Sequence, residues 1–147
     1  MELAESELRR QALMLTAPID GTPRYAVNPL HTLTEFTGIT LTFLERDLRN
    51  PSTIVEGFIS RFRQLPDYLT AGLARLDRPI ATWTAMEIEG AKEFSVATVA
   101  VREYAVEHSF AGNERLDAAI YGADRAVALY ASQLAALKTR THLSIGP

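Results

Sequence analysis

Three histidines, His31, His108 and His142, and no cysteine limit what this chain can do by metal or nucleophile chemistry. Without thiols, disulfides, thiolate nucleophiles and zinc–thiolate centres are excluded. No His-Glu-x-x-His motif occurs, so no helix presents two imidazoles to a zinc ion one turn apart. Glu103, Glu107 and His108 come nearest to a metal cluster. The two glutamates share a helical face, but the helical period turns His108 about 100° away from Glu107. The Glu-x-x-His spacing of a di-metal bundle is missing, and the three read as solvated charges near a helix end. There is no Gly-x-Ser-x-Gly elbow, and the eight glycines are too scattered for a phosphate loop. Glu87 and Glu89 read as surface charge rather than an acid/base dyad. The chain is therefore expected to hold no catalytic, metal-binding or cofactor-binding residue of its own.

Aromatic and polar side chains that could touch a ligand or partner form a second set. The segment from Arg24 to His31 gathers Tyr25, Asn28 and His31 on punctuated backbone, where binding residues often sit. A loop pinned to the core by Tyr25, Val27 and Leu30 explains the same residues. Trp83 precedes an apparent helix start, where it either anchors a ligand or packs as a hydrophobic staple on its own helix. Tyr104 and Tyr130 lie within long apolar patterns and complete the set of candidate contacts.

Charge narrows the partners. A net charge of −3 leaves no basic face for phosphate neutralisation, and only short pairs such as Arg61/Arg63 occur, so nucleic acid is not expected. The start, Met-Glu-Leu-Ala-Glu-Ser-Glu, carries acids where a secretion signal carries lysines. No run approaches the roughly 18 apolar residues of a membrane span. The expected setting is cytoplasmic, away from membranes. With 47% apolar and 22% charged residues, the composition is that of a globular chain, and 147 residues suit one domain.

The elements that must position these residues are helical. Residues 2–15 read as a short amphipathic helix with acids first and bases later, matching the helix dipole. Pro18, Gly21, Pro23 and Pro29 mark 17–29 as a loop. Apolar spacing predicts a helix over 33–48 despite the β-branched Thr37, Ile39, Thr40 and Thr42. Asn50-Pro51 reads as its terminator. Thr53-Ile54-Val55-Glu56 fits a capping box that opens a stripe through Ile54, Phe58, Ile59, Phe62 and Leu65. Pro66 then interrupts, so two helical pieces meeting at a proline kink are expected. A second box, Thr84-Ala85-Met86-Glu87, opens a helix to about His108 that is apolar on several faces. After a turn at Gly112-Asn113, Leu116, Ile120, Ala123, Val127, Tyr130, Leu134 and Leu137 follow steps of four and three, a seam for another helix. No alternating runs suggest a sheet. The expected fold is all-α, an irregular bundle of five to six helices with one proline kink near Pro66.

Three of these segments carry a resemblance. Asn28-Pro29-Leu30, Thr42-Phe43-Leu44 and the run from Gly57 to Leu69 (Gly-Phe-Ile-Ser-Arg-Phe-Arg-Gln-Leu-Pro-Asp-Tyr-Leu) resemble part of the bacterial family catalogued as domain of unknown function 885. There an Asn-Pro-Leu segment precedes a helix of the pattern Tyr-Leu-x-Arg-Leu-x-x-Leu-Pro, varied here as Phe58-Ile59 and Phe62. Leu143-Ser144-Ile145-Gly146-Pro147 is similar to the segment that follows the family's long helices, so the resemblance spans roughly residues 24–147. The stretch after Asp77 departs from it: a brief Arg78-Pro79-Ile80 stands where a glycine-rich basic turn is usual.

The resemblance implies a larger, predominantly helical protein similar to gluzincin-type zinc peptidases, whose His-Glu zinc motif lies C-terminal of the matched part. Zinc thus enters by resemblance only, and no ligand to it is carried over. On this reading, residues 1–147 are a single helical domain, a fragment or truncated form of that larger protein. It acts as a non-catalytic scaffold walling one side of a substrate cleft, with its missing C-terminal portion or a second copy as partner. Two other readings stand beside it: a free-standing module that self-associates or docks a helix through the 116–137 seam, and a bundle binding a peptide or small molecule near Trp83, Tyr104 and Tyr130.

Overall fold

The computed structural model describes residues 18–19, 22–46 and 49–141. The short helix expected over 2–15 and the tail similarity over 143–147 lie outside the described residues. A two-residue antiparallel ladder, β1 (Pro18–Ile19) with β2 (Thr22–Pro23), leads into a single helical turn, α1 (Arg24–Val27). A 3₁₀ turn over Pro29–His31 follows. Among the described residues there are then four long helices: α2 (Leu33–Arg46), α3 (Pro51–Ala74), α4 (Ala81–Glu107) and α5 (Asn113–Ala136). The fold is an all-α bundle in which α3 packs on α5, α5 on α4, and α4 on α2.

The expected five to six helices thus become four long ones, chiefly because α3 is not divided at Pro66. Pro66 lacks an amide for the Phe62 carbonyl one turn earlier, yet the helix continues to Ala74. Burial explains its survival. Ile54, Phe58, Phe62, Leu65 and Leu69 hold one stripe against the core on both sides of the proline. One missing hydrogen bond is small beside the burial of several large side chains, each worth about 1.5–3 kcal/mol. The start of α3 also differs. Asn50-Pro51 is not only the end of the preceding segment: the Asn50 Oδ1 accepts the Ser52 amide at 2.8 Å, and Pro51 takes the first helical position. The box expected at Thr53 lies inside the helix.

Two of the β-branched residues of α2, Thr40 and Thr42, are accommodated by their hydroxyls. Thr40 donates to the Phe36 carbonyl at 3.0 Å and Thr42 to that of Gly38 at 2.9 Å. Those bonds satisfy the side chains without leaving the helix.

The connection from α3 to α4 is tightly held. The Asp77 amide donates to the Ala26 carbonyl at 2.7 Å and the Ile80 amide to that of Val27 at 2.9 Å. From the other end of the chain, the Arg140 amide donates to the Pro79 carbonyl and the Ala81 amide to the Arg140 carbonyl, at 3.0 and 2.8 Å. The Arg140 guanidinium adds bonds to the Arg78 and Asp77 carbonyls at 2.6 and 3.0 Å. Arg78 takes a left-handed φ of 43°, an uncommon conformation for a side chain with a Cβ, and these bonds fix it there.

At the centre, the rings of Phe36, Phe58, Phe62 and Phe94 meet at centroid separations of 6.1 to 6.4 Å, within the favourable range for tilted and edge contacts. No helix among the described residues is long and apolar enough to cross a membrane.

Candidate functional site

The most concentrated polar chemistry lies inside the bundle, on Glu87. Its side chain is fully buried. One carboxylate oxygen accepts the Leu33 amide at 3.0 Å and the Tyr130 hydroxyl at 2.8 Å. The other accepts the Thr34 amide at 2.9 Å and the Thr34 hydroxyl at 2.6 Å. The two amides are among those left unpaired at the first turn of α2, where the helix dipole also favours an anion. A buried carboxylate is costly unless hydrogen-bonded, and four donors make this one tolerable. Tyr130 is held as a neutral phenol: burial, with the adjacent Glu87 charge, pushes its pKa well above the ordinary tyrosine range. The arrangement ties three helices, α2, α4 and α5, at one point.

This overturns three expectations. Glu87 is not surface charge; Glu89, two residues on, is exposed. Thr84 and Glu87 do not form a capping box, because α4 already begins at Ala81; the Thr84 hydroxyl donates to the Ile80 carbonyl, and Glu87 caps a different helix. Trp83 accordingly lies in the first turn of α4, half-buried, rather than ahead of it as a staple. A signal for Glu87 was present in the sequence. Glu87, Phe94 and Val101 recur every seven residues on the buried side of α4, placing a carboxylate in a row of core positions.

A second feature opens beside this cluster. A groove of about 270 Å³ between α2 and α3 has a floor of Phe36, Ile39, Leu65 and Tyr68, and Glu35, Arg61 and Gln64 stand at its rim. Ile39 and Tyr68 are 42% and 38% exposed, so the apolar surface is open to a ligand. The Phe36 ring lies 6.3 Å from that of Tyr68 and 6.4 Å from that of Phe94, which connects groove and core. Such a surface can take an apolar side chain of a peptide. The sequence reading missed these residues, since a groove arises from two helices meeting and leaves no periodic trace in either.

The six candidate contact residues separate. Asn28 caps the 3₁₀ turn, its Oδ1 accepting the Leu30 amide at 3.0 Å. Trp83, one turn before Glu87, and Tyr130, bonded to Glu87, share one end of the bundle. Tyr104 lies at the other, about 30 Å from Trp83 along α4 by the rise of an α-helix. Its ring covers that of His108 at 4.2 Å. The side chains of Tyr25 and His31 lie outside the described part of the structure. No single small ligand spans Trp83, Tyr104 and Tyr130. Glu103, Glu107 and His108 are exposed, as solvated charges at a helix end should be. Among the described residues, no group of three His, Asp or Glu side chains is placed to hold a metal ion.

Compared with known proteins, the chain matches no family model, no curated protein and no solved structure.

Proposed function

We propose that this chain is a helical scaffold segment of a larger zinc-peptidase-like protein and forms one wall of its substrate cleft. The observation that carries the reading is the open α2–α3 groove. Its α3 side, Arg61, Gln64, Leu65 and Tyr68, comes from the run 57–69 on which the resemblance to the domain of unknown function 885 family rests. A peptide lying in the cleft would set an apolar side chain against Phe36, Ile39 and Tyr68. Among the described residues no three His, Asp or Glu side chains are placed to hold a metal ion. On this reading the zinc and its chemistry would come with the His-Glu motif that the resemblance implies further along the larger protein.

The test is to read the coding DNA onward in frame past the codon for Pro147. A frame that continues and supplies a His-Glu zinc motif supports the reading, and Tyr68→Ala in that longer protein should then raise KM for peptides more than it lowers kcat. A stop codon overturns it.

A second reading, the free-standing interaction module, draws support from a different surface than expected. Leu116, Ile120, Ala123, Val127, Tyr130 and Leu134 of the 116–137 seam are buried against α3 and α4 within the same chain. The exposed face of α4, with Met86, Val96, Val99 and Val106 in solvent, is the surface such a module would use.

A further inference from the structure

On the side of α4 opposite Glu87, Phe94 and Val101, the residues Glu89, Lys92, Val96, Val99, Glu103 and Val106 recur at alternate steps of three and four. That is the spacing of a helix-pairing seam. All six are exposed, with Val96 at 58%, Val99 at 46% and Val106 at 69%, although α4 packs on α2 and α5 through its other side. We propose that this stripe is a homodimer interface in which two copies of α4 pair antiparallel about a two-fold axis between Val96 and Val99.

The charge pattern selects both the partner and the direction. Under that axis each Val96 faces Val99 of the second copy. Lys92 then faces Glu103 of the second copy, and the symmetry makes this ion pair twice. Parallel pairing would instead set Lys92 against Lys92 and Glu103 against Glu103, and like charges facing across a seam are destabilising. Complementarity of a patch to itself under a two-fold rotation is what an isologous dimer requires, and an unrelated partner would impose no such pattern. Lys92 already bonds Glu89 of its own helix at 3.0 Å, with both side chains about 70% exposed, so its ammonium is oriented along the stripe and keeps donors for a second carboxylate. This interface is separate from the proposed cleft wall, which lies on α2 and α3.

Sedimentation equilibrium on the chain, its K92E and E103K variants and their equimolar mixture tests the pairing. The chain should dimerise with rising concentration, and each charge reversal should weaken its own homodimer by about tenfold or more. Mixing the two variants should restore dimerisation, because opposite charges then meet at both contacts. The two introduced side chains face each other at one, and the native Lys92 and Glu103 at the other. Circular dichroism should show all proteins equally helical, since the altered residues are exposed. A chain that stays monomeric to about 300 μM, reversals without effect, or a mixture no tighter than its components would each overturn the proposal.

Discussion

The Tyr130 hydroxyl donates to the Glu87 carboxylate at 2.8 Å inside the bundle, linking the last helix to a residue that caps another. The Leu33 and Thr34 amides find in this carboxylate the acceptor that a capping side chain would ordinarily supply from their own segment. The start of α2 therefore depends on α4 being in place, and local helix formation is coupled to tertiary packing.

Glu87→Gln keeps the shape of the side chain and removes one acceptor. An amide NH₂ turned toward backbone N–H groups cannot accept from them, so at least one buried donor is left unpaired. The expected loss is about 2–3 kcal/mol of unfolding free energy, as for a hydrogen bond to a buried charge. Urea denaturation measures it. A change below about 0.5 kcal/mol, the size ordinary at a surface site, would mean the carboxylate does not hold α2.

Tyr130→Phe separates the hydroxyl from the ring, which stays packed. It should cost about 1.5 kcal/mol at neutral pH. The alkaline limb gives a second readout. The phenol's pKa is raised in the folded state, so above the ordinary tyrosine value of about 10 the unfolded chain loses a proton that the native chain keeps. Stability must fall with rising pH there, by up to about 1.4 kcal/mol per pH unit from this residue. In Tyr130→Phe the fall should be shallower by that amount. Parallel slopes for the two proteins would show that Tyr130 ionises as freely folded as unfolded.

The seams of α2 and α5 were legible in the sequence because their apolar spacing is long and regular, and both helices form close to the expected limits. Pro66 misled because local propensity argues for a break, while the stripe it interrupts is buried on both sides. Glu87 misled because Thr-x-x-Glu is a local pattern, and the backbone amides that bond its carboxylate lie 53 and 54 residues away in sequence. The groove residues Ile39 and Tyr68 had no signature at all, since their meeting depends on how two helices cross.

Two glycines of α3 should respond oppositely to alanine. A Cβ at Gly72 would lie 2.7 Å from both the Thr32 Oγ1 and Cγ2, in a buried contact. Thr32 is fixed in turn, since it is buried, its amide donates to the Pro29 carbonyl at 3.1 Å, and it precedes the capped turn of α2. At Gly57 nothing lies within 4 Å of the added methyl. Gly57→Ala should therefore stabilise by roughly the 0.8–1 kcal/mol helix preference of alanine over glycine. Gly72→Ala should destabilise by about 1–2 kcal/mol despite the same preference, as overpacked core sites do. Thermal melts of both variants decide the matter; a stabilised Gly72→Ala would mean that Thr32 yields freely.

The exposed pair between Arg115 and Glu56 joins α5 to α3 through two hydrogen bonds in a fork. The hydrogen bond from Arg115, reinforced by its charge, holds the Glu56 carboxyl below the ordinary glutamate range. A depressed folded-state pKa means that the stabilisation is present above the ordinary carboxylate value and disappears as pH falls through the folded one. Because both side chains are solvated, screening keeps their effect on stability small, and the titration itself is the sensitive observable. In a carbon-detected NMR titration, Glu56 should protonate below the ordinary glutamate range. Arg115→Gln should move it back toward the ordinary value, and an unmoved Glu56 would mean that the fork does not form in solution.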